Sequence, residues 1–443
     1  MSKSQPPISS DVSSRAKKKE TLLEIRNLKK YFDNEQSLVD KLLNNTTEPV
    51  KAVDGVSFDI IHGETLGLVG ESGCGKSTVG KTILRLHEAT GGKVVFDNKN
   101  IFEMNRKELK QYRRQSQLVF QEPFDSINPR MTIRDCLSEP LRVHDIGTKS
   151  ERDERIKQLL EDVGLSADYV DRYVHEFSGG QCQRIAIARA LAVQPDLIVL
   201  DEPVSALDVS VQAQILNLLS DIQDEFNITF LFISHNLSAI QHICDRVAVM
   251  YLGQICELAS VETIFSNPSH PYTEALLENI SRADPDDRHR EREMLTGDVP
   301  SPRNPPSGCR FRTRCPKIIP PEDMTVDQKN WRGIMFFKQK LNSDTINLNQ
   351  VERMYNLESY DTQWTDLNRD KQVEILKEHY DLPLTVEDVR LQEVLTTTCR
   401  YVCDERYGDA RQLLSEAFVS ICEIEKPEEI ELKPGHTVHC HLQ

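Results

Sequence analysis

The stretch TLGLVGESGCGKSTVGKTIL, residues 65–84, decides the fold. A short apolar run, TLGLV, reads as a buried strand; a glycine-dense loop follows, and VGKTIL opens with helical spacing. Within it, Gly70, Gly75, Lys76 and Ser77 fit the pattern G-x-x-x-x-G-K-[ST]. The glycines let the backbone turn so that several amide N–H groups face inward, a positive nest at a helix start where phosphate oxygens bind. Lys76 is expected to neutralise the outer phosphates of a nucleotide. Ser77 offers a hydroxyl to Mg2+, which demands near-octahedral oxygen ligands. Ser72, Gly73 and Thr78 complete the predicted nucleotide-binding set.

Outward from this loop, two further apolar runs end on polar groups. LIVLDE, 197–202, delivers Asp201 and Glu202 to the edge of a sheet, and ITFLFISH, 228–235, delivers His235. Asp201 is suited to hold magnesium through water, and Glu202 to orient or partly deprotonate the water that attacks the terminal phosphate. A lone strand-end histidine is more often structural, but beside the two preceding motifs His235 reads as a sensor of that phosphate. From about 22 to 257 short β-rich runs alternate with longer helical patterns, which predicts an α/β domain with a largely parallel sheet.

At 443 residues and 50.7 kDa the chain exceeds one ordinary hydrophobic core, so two or three structural units are expected. Acidic residues number 70 against 54 basic, a net charge of −16, which argues against broad binding to nucleic acid or anionic lipid. No run approaches the roughly 18–20 apolar residues of a membrane-spanning helix. The first twenty residues are rich in Ser, Pro and Lys without the apolar core of a secretion signal, and read as a mobile tail. Eleven cysteines without such a signal point to a reducing compartment, the cytosol.

The domain plan that follows has a tail at 1–20 and a nucleotide-binding domain at 21–285, with a helical subdomain near 122–186. A proline-rich connector that begins a cysteine-bearing tail spans 286–316, an acidic, mostly helical insert 317–421, and the end of the tail 422–443. GDVPSPRNPPSG at 297–308 breaks regular structure. VEDVRLQEVL and ARQLLSEAFVSI show the three- and four-residue apolar spacing of helices.

FSGGQ, Phe177 to Gln181, resembles the signature of ATP-binding cassette (ABC) ATPases, and Ser178 stands 102 positions beyond Lys76, also typical of that family. The resemblance implies a P-loop NTPase fold with a helical subdomain. It also implies that Ser178, Gly179, Gly180 and Gln181 bind the γ-phosphate of ATP held by an opposite subunit, so that a working site needs a dimer. SALD, Ser205 to Asp208, resembles the D-loop that crosses the dimer interface. Gln121 in LVFQEP resembles the glutamine that contacts magnesium and follows the transport partner, and Tyr31 the aromatic that stacks on adenine. Phe177 and Cys182 depart from the commoner leucine and basic residue, away from the inferred phosphate contacts. Among cassette ATPases of DNA repair and chromosome organisation, those with long coiled coils part P-loop and signature by hundreds of residues, and those of translation usually carry two tandem cassettes; neither pattern fits a separation of 102 and one P-loop.

Within the family, LVFQEPFDSINPRMTI at 118–133, NPSHPYTEALL at 267–277, GDVPSPRNPPSGCRFRTRCP at 297–316 and GHTVHCHL at 435–442 resemble ATPase subunits of oligopeptide and dipeptide importers. The resemblance implies a motor on the cytoplasmic face of the cell membrane, beneath two membrane permease subunits fed by an extracellular solute-binding protein. It implies a paralogous ATPase subunit as partner in preference to a second copy, and no nucleic acid. Some relatives carry nickel or sugars, and an exporter motor is the other alternative. Four thiolates at Cys309, Cys315, Cys422 and Cys440 have the chemistry to bind iron and sulfide, or zinc, or to remain free. The resembled subfamily holds a four-iron, four-sulfur cluster with corresponding cysteines, the second and third only several residues apart. Here 106 residues intervene, and they contain Cys399 and Cys403; EAFVSICEIEKP before the closing GHTVHC favours Cys422 as the third ligand. Cys74, Cys136, Cys182, Cys244 and Cys256 read as ordinary packing cysteines, Cys74 being placed inside the phosphate loop.

Overall fold

A computed structural model describes residues 20–33, 48–122, 127–278, 298–321, 324, 326–358, 363–386 and 388–443. The expected tail, all of 1–20 but residue 20, and the part of the expected connector before 298 lie outside the described residues. The chain forms two compact units, Met1–Phe32 with Lys51–Val247, and Asp33–Val50 with Ala248–Gln443.

In the first unit, β1 (Thr21–Phe32), β2 (Val50–Ile61), β4 (Gly91–Phe96) and β5 (Lys99–Asn100) make a sheet of order β2-β1-β4-β5, with β1 and β4 antiparallel. The strands β3 (Thr65–Val69), β6 (Ser116–Val119), β7 (Leu197–Asp201) and β8 (Thr229–Ser234) lie parallel in the order β3-β8-β7-β6. Every residue of β3, β7 and β8 is buried, the reason these strands are apolar without alternation.

Helices cover this sheet where small residues let them approach. On α1 (Lys76–Ile83) a β-carbon at Gly80 would stand 2.9 Å from both Ile233 and Val199. The next helix, α2 (Arg106–Gln115), carries a capping box from Asn105 and Glu108. The helical subdomain consists of α3 (Ile133–Val143), α4 (Lys149–Asp162) and α5 (Gly179–Leu191), started by Thr132, Thr148 and Ser178. After β7 comes α6 (Val209–Phe226), and after β8 α7 (Leu237–Ile243), which crosses β3 at Gly67, where a side chain would meet Cys244 and Ile240.

The second unit carries β9 (Arg246–Tyr251), β10 (Gln254–Ser260), β11 (Ile430–Lys433) and β12 (His436–Val438) in the order β11-β12-β10-β9. The strands β11 and β12 are too short to show a periodicity, so the closing segment is a strand pair that sequence pattern does not announce. Fully buried Glu257 on β10 binds the chain together here: its carboxylate accepts from the amides of Ser269 (2.8 Å) and His270 (3.0 Å) and lies 2.9 Å from His436 Nε2. Beyond α8 (Val261–Ser266) and α9 (Pro271–Glu278), a helical module follows residue 327. Its helices are α10 (Gln328–Asn342), α11 (Leu348–Glu358), α12 (Arg369–His379), α13 (Val389–Cys403) and α14 (Tyr407–Ala417). They share a core of Trp331, Phe337, Leu376, Leu395, Cys399 and Phe418. Among the described residues no helix is long and apolar enough to cross a membrane.

Candidate nucleotide site and thiol group

The parallel register places the functional residues side by side. Val69 pairs with Ser234, Ile233 with Asp201, and Leu200 with Val119, so the residues that follow emerge together at the carboxyl edge: Gly70, His235, Glu202 and Gln121. In open α/β sheets this edge is where ligands bind. A cleft of about 560 Å³ opens here, lined by Ser72, Gly73, Lys76, Ser77, Gln121 and Glu202, with Gly75, Thr78, His235 and Ala52 completing its wall.

Gly73 and Gly75 have φ of +77° and +109°, in the left-handed region that disfavours side chains. A β-carbon at Gly73 would meet no atom within 4 Å, so that position faces the open cleft. Gly75 caps α1 with no side-chain hydrogen bond, leaving the first-turn amides to a ligand, as an anion site requires. Lys76, 4 % exposed, donates from Nζ to the carbonyls of Gly70 (2.8 Å) and Glu71 (3.0 Å), which pins the ammonium inside the loop. Cys74 also faces inward, its Sγ 3.8 Å from Lys76 Nζ, and burial pushes its thiol up.

Ser77 Oγ donates to Asp201 Oδ1 at 2.7 Å, and burial raises the Asp201 carboxyl against the opposing pull of that hydroxyl and of Lys81 and Lys76. These two oxygens form the donor set suited to magnesium. Glu202 sits at φ +49°, its amide donating to Ile233 O at 2.9 Å, which turns its side chain to the cleft. Its Oε2 accepts from Gln121 Nε2 (3.0 Å) and its Oε1 lies 3.1 Å from His235 Nδ1. The carboxylate is thus held from both sides, as a base that must orient water needs.

Not every expected residue joins the cleft. Ser178 and Gln181 form a reciprocal cap at the start of α5, and none of Ser178, Gly179, Gly180 and Gln181 lines it. Gly180 touches another element instead: a β-carbon there would come within 2.6 Å of Val211 on α6. The hydroxyl of Tyr31 donates to Asp54, and the β-strand residue at the cleft wall is Ala52, which carried no signal in the sequence.

In the second unit Cys309, Cys315, Cys422 and Cys440 gather, every pair close enough for one thiol to disfavour ionisation of another. Burial first, then that repulsion, lifts Cys309 to about 12 and raises Cys315 and Cys440. Opposing this, backbone amides of Phe311, Arg312, Lys317 and Leu442 are directed at the sulfurs and favour thiolate. The loop between Cys309 and Cys315 is anchored by buried Phe311, packed against Tyr251, Tyr272 and His270. Cys399 and Cys403 lie elsewhere, near Lys377 and Arg369 in the helical module. Among the described residues no three His, Cys, Asp or Glu side chains converge as on a single metal ion. A lone zinc would require thiolates about 3.8 Å apart, given Zn–S bonds of about 2.3 Å. A larger cluster tolerates wider spacing, and the amides aimed at sulfur fit its needs.

Sheet, phosphate loop and paired carboxylates define a nucleotide hydrolase of the P-loop class. The chain matches the ABC transporter family model over residues 53–205, the model of the oligopeptide/dipeptide transporter C-terminal region over 256–320, and a domain of unknown function over 328–434. A putative peptide import ATP-binding protein of Brucella ovis is 52% identical over 307 residues, covering 69% of this chain and 93% of the relative. The oligopeptide transport ATP-binding proteins AppF of Bacillus subtilis and OppF of Salmonella typhimurium are 51% and 48% identical, over 69% of this chain in each case and 92% and 91% of the relatives. The chain belongs to the ABC transporter family, and its cassette is an ATPase coupled to transport.

Proposed function

We propose that this chain is the ATP-hydrolysing motor subunit of an importer that takes up di- or oligopeptides. The observation that carries the catalytic part is the Glu202 carboxylate held between Gln121 and His235 beside the phosphate loop. Lys76 and the first-turn amides of α1 bind the β- and γ-phosphates, Glu202 aligns the attacking water, and His235 and Gln121 hold Glu202 in register. Ser77, Gln121 and Asp201 would hold magnesium, which would supply positive charge to neutralise the phosphates. Tyr31 stacks on adenine. Ser178, Gly179, Gly180 and Gln181 serve the nucleotide of an opposing subunit, which accords with none of them lining the cleft of their own chain.

The peptide assignment is supported by the match to the oligopeptide/dipeptide transporter C-terminal region and by the names of the relatives. The partners are a paralogous ATPase, two membrane permeases and, through them, an extracellular solute-binding protein, with this chain peripheral on the cytoplasmic face. Cys309, Cys315, Cys422 and Cys440 would hold a four-iron, four-sulfur cluster, which would tie three segments of the tail into one unit. Uptake of a labelled tripeptide by cells carrying the transporter genes tests the assignment. Uptake lost on Lys76→Ala and restored by the parent chain is the expected result; unaltered uptake by the variant refutes it.

A further inference from the structure

The helical module interrupts the tail between two of the four thiols, yet its ends return to one place. Ser420 Oγ donates to Ile319 O at 2.6 Å and accepts from the amide of Cys422 at 3.2 Å. The module's core also includes Cys422, 8 % exposed, and packs directly against Cys309 and Cys315.

Glu423, next to Cys422, is tied to both sides of this junction. Its Oε2 accepts at 2.8 Å from Lys338 Nζ on α10, and the same ammonium donates to Phe418 O at 2.7 Å. Lys338 is 4 % exposed, so its charge is partnered out of water. On the other side, Ser307 Oγ donates to the Glu423 carbonyl at 3.0 Å, and the amide of Cys309 donates to the Cys422 carbonyl at 2.8 Å. The contact is close: at Gly308 (φ +63°) a β-carbon would stand 2.4 Å from Cys422 O. A cleft of about 160 Å³ runs along this seam, lined by Pro306, Arg312, Met335, Lys338 and Glu423, with room for several waters.

We propose that the module α10–α14 is a cover over the four-thiol group, and that Lys338 and Glu423 are the clasp that keeps it shut and positions Cys422. Nothing about nucleotide chemistry needs a buried lysine here, while water and oxidant reaching sulfur change both the lifetime and the potential of an iron–sulfur centre. The proposal rests on the cluster assignment made above, and its test separates the two. The metal-free full chain, kept reduced, is treated with N-ethylmaleimide and each cysteine followed by mass spectrometry, in the parent, Lys338→Met and Glu423→Gln. Lys338→Met removes both bonds of the ammonium, to Glu423 and to Phe418 O, and Glu423→Gln strips the charge from the first, so modification of Cys422 should speed by about tenfold or more in both variants, most in Lys338→Met, with Cys399 in the module core unchanged. In the iron-loaded chain the visible absorbance should then bleach faster in air. A parental rate at Cys422 in either variant overturns the proposal, as does acceleration of Cys399 alongside it, which reports a module loosening as a whole. A parent that assembles no iron and sulfide defeats the cluster assignment alone, since the labelling rates still decide whether a cover exists.

Discussion

Glu202→Gln isolates the chemistry of the cleft from its architecture. An amide of the same shape keeps both neighbours: its oxygen accepts from Gln121 Nε2 as Oε2 does at 3.0 Å. Its NH2 donates to His235 Nδ1, now 3.1 Å from Oε1, in the tautomer protonated at Nε2. Phosphate contacts come from Lys76 and the α1 amides, which the change does not touch, so affinity for ATP should hold. What disappears is a carboxylate able to take a proton from water, and a positioned general base contributes about 10²–10⁴ in rate, or about 3–5 kcal/mol of barrier. In the assembled transporter, phosphate release should fall by that factor at saturating ATP. Nucleotide binding measured by titration should stay at the parental value, and the closed nucleotide-bound dimer should accumulate. Phosphate release within about tenfold of the parent would refute the role given to Glu202, because a base worth less than about 1.4 kcal/mol is not organising the step.

Asp201→Asn should have two opposite effects. It removes a carboxylate that burial raises while leaving an acceptor for Ser77, so the nucleotide-free chain should melt at a higher temperature; because the raised group binds its proton more tightly when folded, this gain should be full above the folded-state value and shrink as pH falls through it. The same variant should lose about 10–100-fold in magnesium-dependent ATP affinity, measured by titration with and without the ion. Gly308→Ala combines a left-handed backbone with a clash at Cys422 O, strain of about 1–3 kcal/mol or more. Iron and acid-labile sulfide after anaerobic purification should drop from about four of each per chain to under half that, and a full complement would contradict the thiol grouping.

The nucleotide cleft was legible because each of its parts sits where a local pattern changes: a glycine loop after a buried strand, two carboxylates and a histidine at strand ends. Parallel pairing then brings those ends together without further instruction. Gln121 carried no such mark, since one glutamine after a four-residue strand could be any exposed amide; only resemblance singled it out. Ala52 was invisible for the same reason. Glu257 could have been noticed, because a lone carboxylate inside QICELAS is costly unless several donors meet it. The thiols show the opposite limit. Spacing could not separate Cys422 from Cys399 and Cys403 across 106 residues, because which cysteines meet depends on where an inserted chain comes back.

That return point, the bond from Ser420 to the Ile319 carbonyl, makes the module separable in heredity as well as in space. Each doubling of a closed loop costs only about 0.6 kcal/mol in chain entropy, a sum that a module with its own apolar core recovers within itself. A gene could therefore gain or shed these helices at a single junction with neither the phosphate loop nor the thiol-bearing tail being re-threaded. Peptide-transport ATPases with and without such a cartridge can then differ in this module while sharing one unchanged engine.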